Sequence, residues 1–70
     1  MDATEAGQIV IKHAQSIGFK PKYVTNCSRP ILTGEESGYW LVTLSTEQGI
    51  FKAIVNDSDK AVSDWQPVNE

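Results

Sequence analysis

The stretch GYWLVTLSTEQGIFKAIVN, Gly38 to Asn56, restricts the fold more than any other part of the chain. Successive side chains of a β-strand point to opposite faces, so two alternating runs around a short turn define a hairpin and sort its residues into two sets. Glu47-Gln48-Gly49 is the turn. Trp40, Val42 and Leu44 share one face of the first arm, and Phe51, Ala53 and Val55 share one face of the second. These six predict a core. The reverse face carries Tyr39, Leu41, Thr43 and Ser45 with Ile50, Lys52 and Ile54. An antiparallel sheet covered on one side normally shows water a polar second face. Here Tyr39, Leu41, Ile50 and Ile54 are expected to form an exposed apolar patch, and with Lys52 they are the candidate partner-binding residues.

The cover for the inner face is legible at the N-terminus. Asp2 followed by Glu5 has the form of a capping box, so a helix is expected from about Ala3. Ala3, Ala6, Val10, Ala14 and Ile17 fall on one stripe at helical spacing, flanked by Ile9 and Ile11. Gly7 lies beside the stripe, where a strand is expected to approach. Gly18 supplies a left-handed cap, Phe19 folds back on the last turn, and Pro21 prevents continuation, which ends the helix near Ile17. Lys22 to Ser28 reads as a strand, with Tyr23, Thr25 and Cys27 alternating. Arg29 to Ser37 reads as a long loop, Asn56 to Lys60 as a turn, and Ala61 to Gln66 as a last strand bearing Val62 and Trp65. Trp40 is expected inside, while Trp65 fits either core or surface. The prediction is an α+β fold: one domain over residues 1–70, with an N-terminal helix packed on a small antiparallel sheet of three to four strands.

This order of elements resembles the PepSY domain family. The residues that carry the likeness are Ala3-Thr4-Glu5-Ala6 opening the helix, Gly38-Tyr39-Trp40-Leu41-Val42, the turn at Glu47-Gln48-Gly49, and Ala53-Ile54-Val55-Asn56-Asp57 with Ala61-Val62. PepSY domains are regarded as binding or inhibitory modules, often linked with peptidases. The resemblance therefore implies a non-enzymatic role.

Composition narrows the remaining classes. A chain of 70 residues buries only about 60% of its unfolded surface, so a core this thin benefits from reinforcement. Its single cysteine excludes an intrachain disulfide, and Cys27 with His13 falls short of the four ligands of a structural zinc site. Self-association or a protein partner is the expected reinforcement, and no cofactor is expected. The N-terminal sequence has neither a basic segment nor an apolar run of leader type, and no apolar run reaches the roughly 20 residues of a membrane span, so the expectation is a soluble, cytoplasmic protein with no membrane partner.

A net charge of −3 argues against nucleic acid. Between Glu5 and Glu35 there is no acidic residue, while Lys12, Lys20, Lys22 and Arg29 fall there. Solvated lysines complementing a helix C-terminus account for this cluster. The alternative is a small-anion or metabolite sensor, in which Lys20, Lys22 and Arg29 bind and the 29–37 loop closes. His13 and Cys27 are the single pair that suggests a nucleophile with its base. A packed helix edge and a small buried hydrophobe explain them as well, so no catalytic residue is expected. Asn56, Asp57 and Asp59 lack the ligand array of a calcium loop and read as a solvated turn. The function expected is a protein-binding or inhibitory module, working through the outer face or an edge of its sheet on a protein partner or a second copy.

Overall fold

The computed structural model describes residues 1–32, 35, 36 and 38–68. Helix α1 spans Ala3–Ser16, and its first turn is fixed by Asp2, whose Oδ1 accepts the Glu5 N–H at 2.8 Å. Its last turn closes as the Gly18 N–H donates to the Gln15 carbonyl at 3.2 Å and the Phe19 N–H to the Ala14 carbonyl at 2.9 Å. That pairing needs a left-handed residue, and Gly18 takes φ +88°. The chain then reverses into strand β1, Pro21–Ser28.

Strands β4 (Tyr39–Thr46), β5 (Gly49–Asn56) and β6 (Val62–Pro67) follow as antiparallel neighbours, and β1 pairs with β4, so the four-stranded sheet runs β1-β4-β5-β6. The segment expected as a plain loop contains two short strands, β2 (Ile31–Leu32) and β3 (Glu35–Glu36), paired antiparallel in a ribbon of their own. Positions 33, 34 and 37 of that segment lie outside the described residues. At the β5–β6 turn, which has no glycine, Lys60 takes the left-handed conformation with φ 53°.

The two-layer core forms where the helix stripe meets the inner hairpin face. Ala6, Val10 and Ala14 pack against Val42, Leu44, Ala53 and Val55. Val10, Val42, Leu44 and Val55 are fully buried, and each such burial contributes about 1.5–3 kcal/mol. The two ends of the helix stripe, Ala3 and Ile17, are exposed. Trp40 is half-buried on the same inner face, with the Arg29 guanidinium 4.9 Å from its ring centroid. Trp65 also faces inward, stacked on Phe51 at 4.9 Å, and Phe19 meets Phe51 edge-on at 4.8 Å. These rings fill the gap left under the helix C-terminus.

Strand β1 departs from strict alternation. Its register against β4 slips twice, leaving Lys22 and Thr25 as extra residues. The second bulge resets the side-chain parity, so that Val24 opposes Leu44 and Cys27 opposes Val42. Without it Asn26 would oppose Val42 on the core side. Tyr23, placed by simple alternation on the same face as Cys27, instead lies on the outer face and is 60% exposed.

Candidate functional site

The outer face of the sheet is built from cross-strand rows, each set by the registers of three strand pairs. One row runs Ser28, Leu41, Ile54, Asp64. The next runs Asn26, Thr43, Lys52, Gln66, and beyond it lie Tyr23, Ser45 and Ile50. Tyr39 opposes Asn56 at the far end. Leu41 and Ile54 are therefore directly paired neighbours, and Leu41 and Ile50 each keep 37% of their surface exposed. Ile54 and Tyr39 are half-buried. A shallow groove of about 270 Å³ crosses this face, walled by Asn26 and Ser28 on one side and by Asp64 and Gln66 on the other, with Leu41 and Ile54 between them. No described residue folds over it, and the molecule is 18 Å through its thinnest dimension, as one helix on one sheet requires.

The five candidate residues Tyr39, Leu41, Ile50, Lys52 and Ile54 thus sit on one face. Sequence periodicity does not place their flanks. Tyr23, Asn26 and Ser28 reach this face through the bulges of β1, and Asp64 and Gln66 reach it through a register slip that leaves Ser63 unpaired in β6. A bulge has no periodic signature in sequence, so these neighbours become visible only with the pairing. Lys52 makes no ion pair among the described residues. Asp64 Oδ1 accepts the Trp65 N–H at 3.1 Å and the Gln66 amide at 3.3 Å, which leaves Oδ2 open.

The two free edges of the sheet are blunted. β1 carries both bulges and Lys22, and β6 ends in Pro67 with a slip of its own. Bulges, charged residues and proline at an edge all oppose the addition of another strand.

The basic candidates are not gathered. Lys20 and Lys22 lie at the start of β1, whereas Arg29 follows its end, roughly 23 Å from Lys22 at 3.3 Å per residue. Lys20 Nζ is 3.9 Å from Glu47 Oε2 between two exposed side chains, a pairing of little energetic weight. Arg29 is ion-paired with Asp57 and lies over Trp40, which joins the end of β1 to the β5–β6 turn. The loop expected to close on an anion falls partly outside the described residues.

His13 and Cys27 are also apart. The His13 ring packs 5.4 Å from Trp65 at the C-terminal half of the helix, while Cys27 Sγ donates to the Ala3 carbonyl at 3.5 Å at its start. Burial pushes the Cys27 thiol above its ordinary pKa, the reverse of what an activated nucleophile requires. In the β5–β6 turn, Asp57 is committed to Arg29 and Asp59 Oδ1 accepts the Ala61 N–H at 3.1 Å. Among the described residues no group of three or more His, Cys, Asp or Glu side chains is placed to hold a metal ion, and no helix is long and apolar enough to cross a membrane. Compared with protein-family models, with curated proteins and with solved structures, the chain matches none of them.

Proposed function

We propose that this protein is a small, non-enzymatic binding module that engages another protein surface with the outer face of its sheet. The observation that carries this reading is the adjacent Leu41 and Ile54 pair, set in a groove that no described residue covers. Apolar area of this kind is stabilised when a partner removes it from water. The blunted edges favour the face over strand addition as the contact surface. The resemblance to PepSY domains supports the same class of role and extends the proposal to inhibition of a peptidase. The anion-sensing alternative gains no support from the geometry, because its three basic residues are spread along the full length of β1.

The test is to replace Leu41 and Ile54 together by serine and to follow circular dichroism and affinity capture in parallel. A folded variant that has lost its binding partner is the expected outcome. A folded variant that retains the same partner at the same affinity would overturn the assignment.

A further inference from the structure

Resting on the reading of the outer face as a docking surface, we infer that its partner is a second copy of this chain, stacked face to face about a two-fold axis that passes between β4 and β5. Two adjoining rows of the face are self-complementary about that axis. Ser28, Leu41, Ile54, Asp64 reads polar, apolar, apolar, polar, and a two-fold along the strands lays the same row on itself in reverse. Leu41 of one copy then meets Ile54 of the other, and the Ser28 hydroxyl meets the open Oδ2 of Asp64 as donor to acceptor. In the adjoining row Asn26 faces Gln66, so two amides exchange hydrogen bonds, and the Lys52 ammonium faces the Thr43 hydroxyl. Neither charge on the face meets its like: Lys52 and Asp64 both land opposite neutral acceptors or donors.

The area suits this occupant. Three strands roughly 26 Å long and one roughly 20 Å long, about 4.8 Å apart, present a face of roughly 470 Å², so stacking two sheets about 10 Å apart buries on the order of 900 to 1,000 Å² in all. That lies at the threshold of a specific interface, in the range of weak or transient association. A self-complementary patch on each subunit is the defining property of a two-fold interface.

The experiment exploits the predicted contact of position 41 with position 54 across the axis. Sedimentation equilibrium is run from micromolar to millimolar concentration on the wild type, on Leu41→Lys, on Ile54→Glu, and on their equimolar mixture, with circular dichroism to confirm that each variant is folded. The wild type is expected to dimerise. Each variant alone is expected to weaken the dimer by roughly 100-fold or more, since a charge is set against an aliphatic side chain in both symmetric contacts. The mixture is expected to recover dimer, because in the mixed pair one contact sets the introduced lysine against the introduced glutamate and the other remains Leu41 against Ile54.

A wild type that stays monomeric at millimolar concentration would overturn the inference. So would a dimer indifferent to both variants, or a mixture that stays monomeric while the wild type dimerises. The broader reading fails separately: if the wild type is monomeric but captures a heterologous protein that Leu41→Lys does not, the docking face stands and its occupant is a different protein. If neither self-association nor capture responds to position 41, the face is not a binding surface.

Discussion

The two faces of the central hairpin come from the same strands and nearly the same stock of aliphatic residues, yet they have opposite fates. On the inner face Val42, Leu44, Ala53 and Val55 are buried by the helix stripe of Ala6, Val10 and Ala14. On the outer face Leu41 and Ile54 sit side by side in an open groove between polar flanks. The contrast teaches that apolar alternation reports strand geometry, while the position of the single helix decides which half of it becomes core. The face left over is the one proposed for intermolecular contact, and a polar frame of Asn26, Ser28, Asp64 and Gln66 borders it.

The largest test of this contrast is truncation in the core. Leu44→Ala empties a fully buried site between helix and sheet, and is expected to cost about 3 kcal/mol in urea unfolding. In so small a domain such a loss brings the folded state close to its limit. Leu41→Ser, on the opposite face of the same strand, is expected to cost less, about 1 to 2 kcal/mol in the monomer, because 37% of its surface already meets water. The same change is expected to weaken association. Equal stability losses at positions 41 and 44 would erase the distinction between the faces.

A smaller and opposite effect is expected at the helix. A Cβ added to Gly7 would lie 3.4 Å from Val24 Cγ2, at the close limit of ordinary contact with the end of a side chain, so Gly7→Ala is expected to stabilise the protein by up to about 0.5–1 kcal/mol through helix propensity. A drop in melting temperature instead would show that the helix and β1 are packed too tightly for a methyl group, and that the inner face is more sensitive than its contacts imply.

Cys27 offers the gentlest probe of the inner face. Its thiol pKa is raised by burial, so the unfolded chain ionises first as pH increases. The contribution to stability is fully present below the ordinary thiol pKa and is lost as pH rises through the higher folded value. Urea midpoints of the wild type are therefore expected to fall more steeply than those of Cys27→Ala above the ordinary thiol range, and to run parallel at neutral pH. Parallel curves throughout would place Cys27 in water rather than against the helix.

Much of the fold was open to reading because its signals are local. The Asp2 cap, the stripe of Ala6, Val10 and Ala14, the Gly18 stop and the parity of Trp40 to Val55 each depend on residues a few positions apart. The candidate face was legible only at its centre, in Leu41, Ile50, Lys52 and Ile54, since both strands that carry them keep perfect alternation. Its borders were not. Simple alternation groups Tyr23 with Cys27, and the segment after Arg29 conceals the short pairing of Ile31–Leu32 with Glu35–Glu36.

By itself, then, the sequence determined the helix with its two caps, the hairpin, and which side chains of that hairpin stand together. The tertiary structure alone decided that β1 pairs with β4 through two bulges, that Asn26 and Ser28 border the apolar pair, and that Arg29 is committed to Asp57 and Trp40 rather than grouped with the lysines. The physical reason is range. Periodicity and capping are written in neighbouring residues, whereas register, bulges and ion pairs are chosen by whatever distant strand or turn the folded chain brings alongside.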